Sequence, residues 1–310
     1  MELRHLRYFV AVAEELHFGR AAKRLHIVQP TLSAQIQRLE KEVGARLLYR
    51  TKRTVRLTEA GLAFLEEAYL ALEHSEKALQ AARRVASGEA GLLAIGLVGS
   101  ATYSVVTEVL SLYGKRFPGV HLAPREINTL DQISALQEGS IQIGFLRPPA
   151  DFAPDDLKIE PFVKEPMMAV LPRDHPLTGS RTVPLAALSG EAFVLPSDER
   201  EPGFCEQVTR ACEEAGFTPK IEQEVSEIQV GLGLNAAGRY VGLLPSSARH
   251  IKTTGIVFKR LAKPVPMMTL YIAWRPENLS ATGLAFLGVC EEVSKRKLIQ
   301  HRPSSTSLNN

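Results

Sequence analysis

Cysteine is scarce in this 310-residue chain: Cys205, Cys212 and Cys290 form no CxxC pair and no cluster with histidine, which excludes a zinc module and a disulfide framework. Long apolar runs are lacking too. The first, Tyr8 to Ala13, stops at Glu14 and Glu15, too short for a signal-peptide core or a membrane span, so the cytoplasm is the expected location and no membrane contact is expected. Catalytic signatures are missing: there is no P-loop, no HExxH and no GxSxG elbow. Gly231-Leu232-Gly233 with Gly238 does not make a GxGxxG, and it falls inside a helical pattern. No enzymatic activity and no cofactor are expected.

Net charge is also small, +3, but it hides an asymmetry. Residues 1–58 carry twelve Lys or Arg against five Glu, a surplus of seven, which leaves the remaining residues at −4. A basic module for a polyanion joined to a mildly acidic module follows, with DNA or RNA as the leading partner. At 310 residues, 45% hydrophobic and 23% charged, the chain is long and apolar enough for two or three folded domains.

Apolar residues recur at helical spacing in Leu3-Leu6-Phe9-Val10-Ala13, in Ala21-Ala22-Leu25 and in Leu32-Ile36-Leu39-Val43, predicting three short helices. Two short extended runs, 47–50 and 54–57, flank Thr51-Lys52-Arg53 and read as a wing-like hairpin. Thr58 is a good N-cap for a long helix that runs to Ser87-Gly88, with Gly61 as a weak point. Its Leu62, Leu65, Tyr69, Leu72 and Leu79 are spaced as a dimer seam, or else as a face packed on the helix's own domain. From Gly91 strands alternate with helices: 92–98, a helix to Arg116, 121–127, a helix to Glu138, and 141–146. A second series follows, with strands at 167–171, 193–195, 221–225 and 241–244 and helices at 206–215 and 228–237. A strand at 268–274 and a helix from Thr282 return to the first unit, so two lobes joined near Phe162 and Pro264 should enclose a hinged cleft.

Phe18 to Val43 reads as a helix-turn-helix: alanines allow close crossing, and Pro30 sits in the first turn of the second helix. With Leu32, Ile36, Leu39 and Val43 turned inward, Pro30, Ser33, Ala34, Gln37, Arg38 and Lys41 face away. Gln29, Thr31, Ser33 and Gln35 can bond base edges or phosphates, Arg38 and Lys41 can neutralise backbone charge, and Arg50, Lys52 and Arg53 of the wing can reach a neighbouring phosphate or minor groove.

These residues resemble a known family. Leu3-Arg4-His5-Leu6-Arg7-Tyr8-Phe9, Arg20-Ala21-Ala22-Lys23-Arg24-Leu25, Gln29-Pro30-Thr31-Leu32-Ser33, Arg38-Leu39-Glu40 and Leu57-Thr58-Glu59-Ala60-Gly61 are similar to the LysR-type transcriptional regulators, and weaker similarity covers the rest. The resemblance implies a winged helix-turn-helix followed by a long linker helix and a two-lobed, Rossmann-like effector domain of the periplasmic-binding-protein type. Double-stranded operator DNA, a second copy of the chain in a dimer or tetramer, and RNA polymerase are the partners it implies. Ala34 departs from the long polar residue common there, so base preference at that position does not transfer. The expected domains are the head 1–58, the linker 59–88, lobe I at 91–162 and 267–300, lobe II at 163–266, and a disordered polar tail 301–310.

Val98-Gly99-Ser100-Ala101-Thr102-Tyr103 resembles the effector loop of the branch controlling aromatic-compound degradation, and Thr129, Arg147, Pro202 and Phe204 align with that branch's pocket. An aromatic or unsaturated carboxylate is therefore the expected effector. Ser100 and Thr129 would hold it at strand-to-helix turns, with the helix taken to begin near Tyr103; Arg147 would add charge, Phe204 an apolar wall, and Gly99, Asn128 and Gly203 flank them. Ser100 is equally a helix N-cap, and Arg147 equally a partner for a surface acid. Two alternatives remain. Redox sensing through Cys205 and Cys212 meets the obstacle that seven residues on one helix set them about 10 Å apart, beyond disulfide reach. A transport-type solute-binding protein would share the two-lobed body but needs an export signal and no basic head.

Overall fold

Helical apolar spacing produces three helices at the start of the chain: α1 (Leu3–Glu15), α2 (Phe18–Arg24) and α3 (Gln29–Val43). The computed structural model describes residues 1–51 and 54–300, with side chains through 296, and divides into two units that meet at Arg84/Val85. In the first unit Ala21 and Ala22 are buried and bring α2 close to its neighbours, over a core that includes Phe9, Val12, Leu32, Ile36 and Leu39. Gly44, at φ 77°, ends α3 with a left-handed cap. Val43, expected inward, is 39% exposed, because the last turn overruns the core. The hairpin is antiparallel: β1 (Leu48–Arg50) pairs with β2 (Val55–Leu57), Leu48 opposite Leu57.

The long helix α4 (Glu59–Ala86) starts where the Thr58 hydroxyl accepts the Gly61 N–H at 2.9 Å and donates to the Arg46 carbonyl at 2.7 Å. Gly61, read from sequence as a weak point, has a positive reason to be glycine: a Cβ there would lie 2.0 Å from the Leu47 carbonyl oxygen. We expect Gly61→Ala to force α4 away from the hairpin and destabilise the head by about 1–3 kcal/mol. An unchanged melting temperature would refute this. The expected seam needs correction. Leu65 and Leu72 pack, with Phe64 and Ala68, against Leu6, Val10 and Phe9 of α1, and only Leu62, Tyr69 and Leu79 of that stripe remain exposed. Spacing alone cannot separate a seam from a face folded onto its own domain. The compact unit therefore extends through Arg84 rather than ending at 58.

The second unit has two hydrophobic cores. Around the first lie β3 (Ala90–Leu97), α5 (Val106–Arg116), β4 (Gly119–Glu126), α6 (Thr129–Glu138) and β5 (Ile143–Leu146). β3 runs parallel between β4 and β5. A long strand, β6 (Lys158–Pro172), leads into the second core, built on β7 (Ala192–Pro196), α7 (Pro202–Glu214), β8 (Lys220–Val225), α8 (Ile228–Ala236), β9 (Gly242–Pro245) and β10 (Ile256–Arg260). β11 (Met267–Trp274) and α9 (Ala281–Gln300) return to the first core.

The connection expected near Phe162 is made by a strand. β6 is continuous: its residues 158–166 pair antiparallel with β11, and its residues 167–172 pair antiparallel with β9 and β10, so one strand belongs to both lobes. The resulting order is β10-β6-β11-β5-β3-β4, with β9 also on β6. Three further sequence expectations shift. Residues 256–260 form a strand where none was read, because Ile256-Val257-Phe258 is too short an apolar run to stand out without its partner β6. α5 begins at Val106 rather than near Tyr103, since Gly99–Tyr103 form a separate 3-10 turn. α7 begins at Pro202, four residues before the expected start, with proline in its first turn. The tail 301–310, expected to be disordered, lies outside the described residues.

Candidate functional site

Two regions gather the residues singled out by the sequence. On α3, Gln29, Pro30, Thr31, Ala34 and Arg38 are exposed, and Ser33 and Gln35 are half-buried. His5 sets Gln35: its Nδ1 accepts the Glu2 N–H at 3.2 Å, so in the neutral ring Nε2 carries the proton and donates to Gln35 Oε1 at 3.0 Å. The amide NH2 remains the donor end.

Arg50 is placed differently from the expectation. Its guanidinium pairs with Glu40 and lies 5.1 Å from the Phe18 ring centre, while Glu40 also accepts the N–H groups of Leu47 and Leu48 at 3.0 and 3.1 Å. Arg50 thus fastens the hairpin to α3 instead of reaching outward. Counting basic residues treats each as free, and only the fold shows the carboxylate beneath this one. Lys52 and Arg53 lie outside the described residues. Arg56, which the sequence reading left out, is an exposed cation on β2 opposite exposed Tyr49.

The second region is a cavity between the two cores, with about 650 Å³ of empty space including its open mouth. Gly99, Ser100, Arg147 and Phe204 line it; Asn128, Thr129, Pro202 and Gly203, also expected there, are not among its lining residues. Arg147 is only 3% exposed. Its Nη1 donates to Ser100 Oγ at 2.8 Å, its guanidinium lies 5.6 Å from the Phe204 ring centre, and its Nε has no partner. No carboxylate lies within ion-pair distance of it among the described residues. Burial therefore pulls its pKa down to about 10, against the opposing field of Glu201 and Glu165.

Thr129, at the start of α6, is fully buried and fully used. Its N–H and Oγ1–H donate to Glu201 at 3.0 and 2.6 Å, and its oxygen accepts the Arg147 N–H at 3.2 Å. Asn128 caps α6 by accepting the Asp131 N–H at 3.0 Å. Burial pushes the Glu201 carboxyl up, although the Thr129 hydrogen bonds and Arg147 pull the other way. Gly203 permits the close approach of α7 to the first lobe, because a Cβ there would meet the Arg147 and Pro148 carbonyl oxygens at 2.2 Å. Pro202 opens α7 beside it. Next to the lining residue Ile228, Gln229 Nε2 donates to Tyr103 Oη at 3.2 Å.

Glu201 escaped the sequence reading. Its neighbours Pro202, Gly203 and Phe204 were singled out, but the role of Glu201 depends on a contact between the start of α7 and the start of α6, which no local pattern encodes. Cys205 and Cys212 both lie on α7 as buried free thiols, pushed up to about 12 chiefly by burial, and Cys205 donates to the Pro196 carbonyl at 3.2 Å. Neither is a thiolate near neutral pH. No group of three or more His, Cys, Asp or Glu is arranged to hold a metal among the described residues. No helix among them is long and apolar enough to cross a membrane.

Residues 3–62 match the bacterial regulatory helix-turn-helix model of the lysR family, and residues 86–295 match the LysR substrate binding domain. The chain belongs to the LysR family. This LysR regulator is 42% identical over 278 residues to the HTH-type transcriptional regulator AlsR of Bacillus subtilis, covering 90% of this chain and 91% of that protein. It is 36% identical over 293 residues to the Hca operon transcriptional activator HcaR of Escherichia coli, covering 94% and 98%. Its structure superposes on full-length CbnR complexed with its target DNA with a TM-score of 0.81 at 28% identity, covering 95% of this chain and all of that one. Its LysR relatives are regulators, and so the chain is a DNA-binding transcriptional regulator with an effector-binding domain, not an enzyme.

Proposed function

We propose that this LysR regulator controls transcription in the cytoplasm in response to an organic carboxylate bound between its lobes. Arg147 carries this reading: a buried cation without an ion-pair partner, with an unsatisfied Nε, facing a cavity, is a half-made hydrogen-bonded ion pair whose other half is an anion. Ser100 adds a hydroxyl beside the guanidinium, and Phe204, Ile228 and Leu232 supply apolar walls that suit an aromatic or unsaturated chain. Binding would favour one of two pre-existing arrangements of the lobes and, through the assembly, of the heads on DNA. The exposed apolar residues Leu62, Tyr69 and Leu79 on α4 support assembly into a dimer or tetramer, through which two half-sites of operator DNA could be held and RNA polymerase engaged.

Calorimetry with benzoate, sorbate and short aliphatic acids tests the ligand class. Ser100→Ala should weaken the best of them by roughly 1–3 kcal/mol, the loss of a hydrogen bond to a charged group. Binding confined to neutral or cationic compounds would overturn the reading.

For the DNA face, the reading is that Gln29, Thr31, Ser33 and Gln35 bond base edges or phosphates, with Pro30 and Ala34 on the same face and Arg38 on a phosphate, which the exposure of Gln29, Pro30, Thr31, Ala34 and Arg38 supports. Replacing Arg38 by Ala should weaken all sequences alike and reduce the slope of log K against log salt by about 0.9. A slope equal to that of the parent protein in a salt titration would remove Arg38 from the interface.

A further inference from the structure

The start of α6 is a place where a ligand carboxylate is ordinarily welcome, with free N–H groups, a helix dipole and a hydroxyl at Thr129. In this chain it is already filled. Glu201 reaches across from the residue before α7, and both its oxygens are bound by Thr129, through N–H at 3.0 Å and Oγ1–H at 2.6 Å. That leaves Arg147, with Ser100, as the anion-binding end of the cavity, and Arg147 is the one cation among its lining residues. Glu126, Glu201 and Glu227 line the same cavity.

We infer that Glu201 is a tethered carboxylate that determines specificity: by occupying Thr129 and setting a negative charge beside the cavity, it restricts the effector to molecules with a single anionic group. This rests on the reading of the cavity as a carboxylate site. A monocarboxylate pairs with Arg147 and lays its apolar part along Phe204 and Leu232. A dicarboxylate can pair one end in the same way, but its second charge finds Thr129 taken and three glutamates near by. Repulsion and an unpaired charge of this kind discriminate without weakening the preferred ligand. Glu201 acts here as a positioning residue. It also draws the lobes together, since its carboxylate belongs to one and Thr129 to the other.

The test is calorimetry on the full-length chain with matched acids: sorbate against muconate, which share a six-carbon diene but carry one and two carboxylates, and benzoate against terephthalate. The parent protein should bind the monoacid of each pair at least about tenfold more tightly. In Glu201→Gln, which keeps the shape and removes the charge, that ratio should fall by about tenfold through a gain for the diacids, and Glu201→Ala, which also frees Thr129, should lower it further. A simple structural role for Glu201 would weaken both members of a pair together and leave the ratio unmoved. Tighter binding of the diacids by the parent, or an unchanged ratio in the Gln variant, overturns the inference while leaving the carboxylate site intact. Failure of the folded parent to bind any of the four acids overturns the carboxylate site and this inference with it.

Discussion

A fragment ending at Leu57 is expected to lose the fold of the head, and one ending at Arg84 to keep it. The three helices and the hairpin are all contained in residues 1–57, but their core is not closed there. Phe64 meets Phe9 edge-on at 5.1 Å, Leu65 packs beside it, and Ala68 is buried against Leu6 and Val10. Deleting a fully buried Phe or Leu side chain typically costs about 2–5 kcal/mol, of which half-buried Phe64 and Leu65 each forfeit a part, and a domain of this size has only about 5–15 kcal/mol of stability in all. Chains of about 60 residues are marginal even with an intact core. Loss of α4 also uncovers the apolar face of α1. The longer fragment should melt cooperatively by circular dichroism, whereas the shorter should show no cooperative transition and no specific operator binding at low temperature. A cooperative melt of fragment 1–57 within a few degrees of fragment 1–84 would show that α4 merely rests on the head.

The same helix marks the boundary of what the sequence can say. Its start, its length and the helix-turn-helix before it are legible because they rest on local signals: Thr58 as cap, apolar residues at helical spacing, and Pro30 in a first turn. Which of its apolar residues face a partner is not local. Leu65 and Leu72 satisfy seam spacing and core spacing equally, and only the position of α1 decides. The cleft repeats the pattern. Ser100, Arg147 and Phe204 stand on the cavity because each lies just past a strand end or in a first helical turn, and that strand and helix alternation is readable along the chain. Arg50 and Glu201 are misjudged or missed because each is defined by a distant partner, Glu40 beneath the hairpin and Thr129 in the other lobe. Charged residues are where pattern reading fails most, since an ion pair has no periodicity.

Replacement of Arg147 by methionine is expected to abolish effector binding while leaving the protein at least as stable as the parent. A buried guanidinium without a carboxylate is held against its desolvation penalty, which for an ion in a protein interior amounts to several kcal/mol. Methionine fills a similar volume, keeps contact with the Phe204 ring and removes that penalty. The loss on the other side is the bond to Ser100 Oγ, at about 0.5–1.5 kcal/mol for a typical hydrogen bond and up to about 3 with a charged donor. The two effects nearly cancel in the free protein, so the melting temperature without effector should stay level or rise. With effector the balance changes, because the charge-assisted pair between guanidinium and carboxylate disappears and nothing replaces it. Affinity should fall by about 100-fold or more, on the order of 3 kcal/mol, and stabilisation by added effector should vanish from thermal shifts. Arg147→Lys should fall between, since an ammonium keeps the charge but lacks the planar fork that can hold Ser100 and a carboxylate together. Operator binding in the absence of effector should be unchanged in both variants, which separates a sensing defect from a folding defect. A methionine variant that melts several degrees lower and still binds the effector would make Arg147 a structural support of the cleft rather than its anion-binding group.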